Sequence, residues 1–348
     1  MTHNQRLKAL LTQLDVGAEA AASNAELLAV LDRAKSFGGQ LKYDNKALFW
    51  WLALGLCICA GALIYYLALV NHVGSVSGDA ERRLWYAGAL GVALSAVPIF
   101  LLLARKKNVD DLSAKIVRKK ILFDNDLVDR TPPADLIKCL CQEFYEFNRG
   151  NYSREIRGWT TGVASPARGF EIDYYHLHYV NQRTETRLVS DGRGGTKQET
   201  KTVYDHFNRY MLVAPLPQLK GLCVLTEPNG HKGITWKPSS GQFNRIFSVR
   251  APSEHLAAKF LQPAVILAFL QLNGEFKRVN VEVSPLGEGR CCISFRDADL
   301  LRIDLGTNIE TPDAFVRALF SAPCPLPKYQ RAVSFIKEIA RFNDNNFQ

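Results

Sequence analysis

The sequence predicts an α+β membrane protein: an N-terminal transmembrane helix hairpin, then a cytosolic domain with a largely antiparallel sheet covered by helices. Three observations carry this reading. Two long uncharged runs lie between residues 47 and 104. Seven basic residues crowd positions 105–120, directly after them. Beyond Gly169, short runs with apolar–polar alternation interleave with segments of helical period.

Residues 1–46 read as cytosolic amphipathic helices. Leu7, Leu10, Leu11 and Leu14 share one helical face. Ser23-x-x-Glu26 is a capping box opening a second helix, with Leu27, Leu28 and Leu31 inside and Gly38-Gly39 at its end. These helices have three possible resting places: the soluble domain, the membrane surface, or another copy.

Residues 47–104 form the hairpin. Ala47 to Val70 is a run of 24 residues without a charge, reaching about 36 Å at ~1.5 Å per residue, against a bilayer core of about 30 Å. Leu84 to Ala104 adds 21 more, or about 31 Å. The competing reading is two buried core helices, but such helices are shorter and carry a polar stripe. Phe49, Trp50, Trp51, Tyr65, Tyr66, Trp85 and Tyr86 lie near the ends, as in an interfacial belt. A cleaved signal peptide fits poorly with 46 mostly polar residues ahead of the first run. Ala53, Cys57 and Gly61, and again Ala87, Gly91 and Ser95, recur every four residues; small side chains at that spacing let helices approach closely. Pro98 is a place for a kink.

Basic residues set the expected orientation. Arg33, Lys35, Lys42 and Lys46 precede the first run. Arg105, Lys106, Lys107, Lys115, Arg118, Lys119 and Lys120 follow the second, while the 13-residue loop Asn71–Arg83 holds only Arg82 and Arg83. The positive-inside bias puts both termini in the cytosol. The seven later residues also mark a basic juxtamembrane helix and linker, 105–130, facing anionic lipid headgroups. Of the net charge of +9, residues 105–120 carry +5 (seven basic, two acidic) and residues 121–348 only +3 (28 against 25). The soluble domain is near balance, so nucleic acid is not an expected partner.

Residues 131–348 read as the cytosolic α+β domain. Thr131-Pro132 opens a helix with Leu136, Leu140, Phe144 and Phe147 on its buried face. Glu171–Val180 and Val203–Val213 are β-rich and flank a polar stretch with Asp191-Gly-Arg-Gly-Gly195, which reads as a long hairpin with a protruding tip. Short strands follow at Leu222–Leu225, Gly233–Trp236 and Arg245–Arg250, then a helix capped by Ser253 and restarted at Pro263. Alternation at 279–283, 291–295 and 301–305 predicts a three-stranded meander with one covered face. Thr311-Pro312 and the segment around Phe335, Ile336, Ile339 and Phe342 supply the last helices, which places helices on one face of the sheet.

Three segments carry a resemblance: Phe144-x-x-Phe147-Asn148-Arg149-Gly150, FEIDYYHLHY at 170–179 and FSVRAPSEHLAAKFL at 247–261. With the helix hairpin and the juxtamembrane helix, the chain resembles over nearly its whole length a bacterial family of two-helix membrane proteins. That family is classed as a domain of unknown function and is sometimes encoded beside LemA-type proteins. The resemblance implies a bacterial inner (cytoplasmic) membrane and no particular chemistry.

Catalytic signals are sparse. His176 and His178 share one strand face and, with His206 or Asp205, offer a metal site; a polar or aromatic sheet face is the favoured reading, since spacing fixes no carboxylate or third ligand. Gly192-x-Gly194-Gly195-Thr-Lys lacks the spacing of a phosphate loop. Glu143 and Glu146 lie a turn apart and read as a solvated helix face. The eight cysteines show no zinc spacing and read as small buried apolar residues. No motif calls for a catalytic residue, cofactor or metal. The expected function is therefore a non-enzymatic membrane-anchored scaffold that binds a protein partner or itself. The alternatives are a membrane-tethered hydrolase using His176, His178 and His206, and a domain binding lipid or a small ligand beneath the hairpin.

Overall fold

The computed structural model describes residues 1–38, 41–73, 78–163, 171–190, 196–287 and 289–346. In chain order its helices and strands begin with α1 (His3–Ala20), α2 (Asn24–Lys35), α3 (Lys46–Val73), α4 (Gly78–Asp124), β1 (Leu127–Arg130), α5 (Leu136–Glu143), β2 (Ser153–Val163), β3 (Glu171–Ser190) and β4 (Thr196–Pro215). They continue with β5 (Cys223–Leu225), β6 (Ile234–Trp236), α6 (Gly241–Ile246), β7 (Ser248–Ala251), α7 (Glu254–Phe260), α8 (Pro263–Glu275), β8 (Asn280–Val283), β9 (Arg290–Phe295), α9 (Pro312–Phe320) and α10 (Pro327–Asn346). The chain groups into two compact units. One joins Met1–Lys120 with Asp304–Pro323; the other joins Ile121–Ile303 with Cys324–Gln348. The division departs from a domain running continuously over 131–348, because α9 packs on α2.

In the first unit, α1 and α2 bury Leu7, Leu11, Leu14, Leu27 and Leu31. Ser23 Oγ accepts the Glu26 amide at 3.3 Å, but the Glu26 carboxylate turns to the amide of Ala22 at 2.8 Å, so the expected capping box closes on its neighbour. Gly39, the second residue of the expected helix stop, lies outside the described residues. Val109, Leu112 and Ile116 of α4 are buried, and the segment before α9 is stitched to them: the Ile309 amide donates to Ser113 Oγ at 3.1 Å. Lys115 joins α1 through Asp15 at 2.7 Å and Glu19 at 2.8 Å. Of the three resting places, these contacts bear on the first, since α2 packs on α9.

α3 and α4 are long and apolar enough to cross a membrane. The second apolar run and the basic segment form one continuous helix, which passes through Pro98. The two helices meet at glycine, where a Cβ on Gly55 would stand 2.8 Å from Gly91 O and a Cβ on Gly91 would stand 2.9 Å from Gly55 O. Cys59 Sγ reaches Gly88 O at 3.8 Å, and Ser95 is buried in the same seam. Ala87 is half-buried. On α3 the expected stripe is displaced: Ala53 and Cys57 are exposed, and open space lies beside Gly61. Two residues turn a helix by about 200°, so a seam centred on Gly55 and Cys59 sends those three residues to the opposite side.

The second unit is built on a nine-stranded sheet ordered β1-β2-β3-β4-β9-β8-β5-β7-β6. Every pair in it is antiparallel. The expected third meander strand at 301–305 is absent, because β4 and β5 already occupy the outer edges of β9 and β8. No ladder position remains for its alternation. The expected helix at Pro132 starts later, at Leu136, and ends before Phe144; Phe144 is extended and Tyr145–Asn148 form a 3₁₀ turn.

Both sheet faces are covered, not one. On the first, Leu140, Phe144 and Phe147 pack on Tyr175, Leu177, Tyr179, Met211, Val213 and Cys292. On the second, Tyr329 of α10 meets Tyr174 edge-on at 6.2 Å and Phe276 stacks on Phe295 at 4.4 Å. Behind them Phe269 meets Phe335 at 5.0 Å. β3 and β4 overshoot the sheet as an arm. β2 leaves β3 at Val180 and β9 joins β4 only at Tyr210, while β3 and β4 stay paired out to Ser190 and Thr196. At ~3.3 Å per residue the free ribbon is about 33 Å long. The expected tip, Asp191 to Gly195, lies outside the described residues.

Candidate functional site: a buried carboxylate–guanidinium network

The site follows from strand alternation. Val281, Val283, Ile293 and Phe295 fill the second face of the sheet, so Asn280, Glu282 and Ser294 must point to the first. Asn280 pairs with Ser294, and Glu282 stands between Cys292 and Cys223 on the neighbouring strands. Arg209 of β4 shares the row with Met211 and Val213. That face is roofed by the turn Tyr145–Asn148, which lowers Glu146 onto it. These polar residues, expected on a solvated face, are therefore inside.

Glu146 is the centre. Its carboxylate meets Arg209 Nε at 2.7 Å and Arg149 Nη2 at 2.8 Å. It accepts from Ser294 Oγ and from Asn280 Nδ2, each at 2.6 Å. Arg209 also donates to Ser294 Oγ at 3.0 Å and to Arg278 O at 3.0 Å, and pairs with Glu227 at 3.2 Å. The Glu146 and Arg209 side chains are 0% exposed. Burial pushes the Glu146 carboxyl up; the guanidinium groups of Arg209 and Arg149 and the hydroxyl of Ser294 outweigh it and hold the group at about 2. Glu143 and Glu146 do not share the expected solvated helix face: Glu146 is buried in the turn after α5, while Glu143 lies on α5 and pairs with Arg290.

A second carboxylate lies beside the first. Glu282 accepts the amides of Tyr145 at 2.8 Å and Glu146 at 3.1 Å, and faces His231 Nε2 at 3.2 Å. The Asn229 amide donates to His231 Nδ1 at 3.0 Å, which fixes the neutral imidazole as the Nε2–H tautomer aimed at Glu282. Cys223, His231 and Glu282 bring ligand atoms within 4.8 Å of one another, the one such set of three among the described residues. It does not fit a cation. A metal on Nε2 would need the proton on Nδ1, where a backbone N–H already points. Burial and the Glu282 charge also push the Cys223 thiol up, away from the thiolate a metal would bind. Cys291 and Cys292 are shifted the same way, so these thiols act as small apolar fillers, as does buried Cys324. Cys139 is exposed and Cys141 half-buried.

The imidazoles singled out in the sequence lie at the base of the arm. Asn208 Oδ1 accepts from His176 Nε2 at 2.9 Å and His178 Nδ1 at 3.1 Å, and His178 Nε2 stands 3.2 Å from His206 Nδ1. With His178 donating from Nδ1, its Nε2 accepts the His206 proton. His176 stacks on Tyr210 and His178 on His206. The three do not form a common ligand set, and Asp205 is held by Arg183 at 2.5 Å. The Gly192–Gly195 segment lies outside the described residues. An apolar hollow of about 670 Å³ opens between α3 and α4, lined by Cys59, Tyr66, Leu84, Trp85 and Val92, not beneath the arm.

Five of the seven basic residues expected at a membrane surface have protein partners. Arg105 donates to Asn45 Oδ1 at 2.6 Å and lies over the Tyr43 ring. Lys115 meets Asp15 and Glu19, Lys119 donates to Glu19 O at 2.9 Å, and Lys120 is buried over Phe320. Arg118 is also engaged. Lys106 and Lys107 are exposed just past the apolar run, whereas Lys115 stands about 12 Å beyond Lys107 along the helix.

The buried network was not read from the sequence, although a signal exists. In Phe207-x-Arg209-x-Met211-x-Val213 an arginine occupies an apolar row, and Glu146 is bracketed by two phenylalanines. Comparison with protein-family models, with curated proteins and with solved structures finds no match for this chain.

Proposed function

We propose that α3 and α4 anchor this chain in a membrane with both ends cytosolic, and that its second unit is an interaction module that binds protein without turning over a substrate. The single observation that carries the reading is the β3–β4 arm. Two strands leave the sheet together, and past Val180 and before Tyr210 neither outer edge is paired with another strand among the described residues. An isolated two-stranded ribbon is marginal in water, and an open edge is a template for a further strand. The Glu146 network supports the same reading from the other side: its groups are buried and bonded to each other, which leaves no reactive group facing a substrate. A hydrolase built on His176, His178 and His206 would need them as one ligand set, which they do not form. The exposed Lys106 and Lys107 support a cytosolic side for the end of the second span and contact there with anionic headgroups. The resemblance to two-helix bacterial proteins would make the membrane the bacterial inner membrane.

The test is the mass of full-length protein in mild detergent, with co-purifying proteins identified. Replacing residues 183–203 by Asn-Gly joins the facing partners Gln182 and Tyr204 through a tight hairpin turn. The intact chain is expected to run as an assembly or with a stoichiometric partner. The shortened chain should run as a monomer with an unchanged melting temperature. An intact chain that is monomeric and alone, or an assembly indifferent to the arm, refutes the reading.

A further inference from the structure

We infer that the partner of the arm is the arm of a second copy, joined β4 edge to β4 edge in antiparallel register about a twofold axis at Thr200; this rests on the arm being the binding element. The two edges of the ribbon differ. On β3 the edge is closed at its root: Asn151 bonds both backbone groups of Gln182, at 2.7 and 3.0 Å, and the Tyr152 ring packs at a tilt on Tyr204, 4.8 Å between centroids. The β3 charges are also spent within the arm, Arg183 on Asp205 and Glu185, and Arg187 on Glu185. On β4 the edge stays open from Thr196 until β9 joins at Tyr210. Its charges Lys197, Glu199 and Lys201 are exposed and make no ion pair among the described residues, though within the ladder Glu199 stands opposite Arg187 and Lys201 opposite Glu185.

The order of those charges selects both the partner and the register. Residues two apart share a face, so Lys197, Glu199 and Lys201 form a positive–negative–positive row. In an antiparallel pair centred on Thr200, Glu199 faces Lys201 of the second copy and Lys201 faces its Glu199. Thr200 faces itself, and Gln198 faces Thr202. Opposite charges across a strand pair attract, and like charges repel. A centre on Glu199 sets Glu199 on Glu199 and Lys197 on Lys201. A centre on Thr202 sets Glu199 on Asp205. A centre on Gln198 keeps Lys197 against Glu199 but carries Lys201 past the end of the facing strand. The Thr200 register gives both attractive contacts over the greatest length. It turns two marginal ribbons into one four-stranded sheet.

The experiment uses the full-length protein in membranes or mild detergent under mild oxidation. Facing residues in an antiparallel pair have Cα atoms about 4.5–5.5 Å apart, within disulfide reach. Thr200→Cys should give a cross-linked dimer that the parent chain and Thr186→Cys, on the β3 edge, do not. Adding Glu199→Lys or Lys201→Glu to Thr200→Cys should each reduce cross-linking at least tenfold. Co-expressing the two, tagged to different sizes, should restore it as the mixed dimer. In that pair one chain is basic at both positions and the other acidic at both, so the two facing contacts are attractive again. If the arm-shortened chain loses an assembly but Thr200→Cys never cross-links, the arm binds another protein and this inference fails while the interaction reading stands. If shortening the arm changes nothing, both fail. If single charge reversals leave cross-linking intact, the Thr200 register is wrong.

Discussion

Arg209 and Glu146 form a buried pair whose worth lies in what happens when one member is lost. Taking two charges out of water costs several kcal/mol each, and the pair recovers this only because Ser294, Asn280 and Arg149 complete the bonding. Arg209→Met should therefore destabilise the second unit by roughly 3–5 kcal/mol, since it leaves a carboxylate with half its compensation. Glu146→Gln with Arg209→Met should recover much of that loss, which thermal melts of the three variants in one detergent would show. The pH dependence has a defined sign. Glu146 is held at about 2 when folded, below the ~4.3 of an unfolded glutamate. Its contribution is full above the unfolded value and is lost as pH falls toward the folded one. Between pH 5 and 3 the melting temperature of the natural chain should fall more steeply than that of Glu146→Gln; parallel curves would count against the pairing. The residues of this network were individually visible in the sequence but not their burial. Asn280, Glu282 and Ser294 alternate with valine and isoleucine, and alternation alone assigns the polar member to water. The assignment fails here because α5 and the turn after it roof the face that alternation marks as wet.

Among whole elements, the two long helices were the most legible, since a run of 24 residues without charge has few soluble explanations. Their mutual face was not. Small residues recur on more than one side of α3, and only the backbone approach at Gly55 and Gly91 distinguishes the packed side. Gly91→Ala should cost roughly 1–3 kcal/mol by overpacking against the Gly55 carbonyl and Cys59, whereas Gly61→Ala meets open space and should be neutral. Thermal stability of the two variants in the same detergent decides it; equal losses would place the seam elsewhere. The strands show the opposite limit. The alternation at 301–305 is as regular as that of β8 and β9, yet it forms no strand, because pairing slots are a property of the whole sheet. β2 was missed for the converse reason: its polar, glycine-containing sequence is a strand because β1 and β3 flank it.

Across the whole molecule, the units do not follow the order of the chain. Asp304–Pro323 leaves the sheet-containing unit, packs α9 on α2, and returns at Cys324. The reason is visible in α9 itself, where Phe315, Val316 and Leu319 make an apolar face that α2 helps to bury. A cut placed just past the basic segment of α4 therefore removes the partner of a helix nearly two hundred residues away in sequence. A chain beginning at Ile121 is expected to aggregate, since it exposes that face along with Ile309, which the natural chain buries completely. Exchanging Asp304–Pro323 in the shortened chain for a Gly/Ser linker of equal length should restore a monodisperse species on size-exclusion chromatography, because it deletes the bare face and leaves every strand of the sheet in place. A shortened chain that is monodisperse without the exchange would show that α9 does not need the N-terminal helices, and that the second unit extends over 121–348 after all.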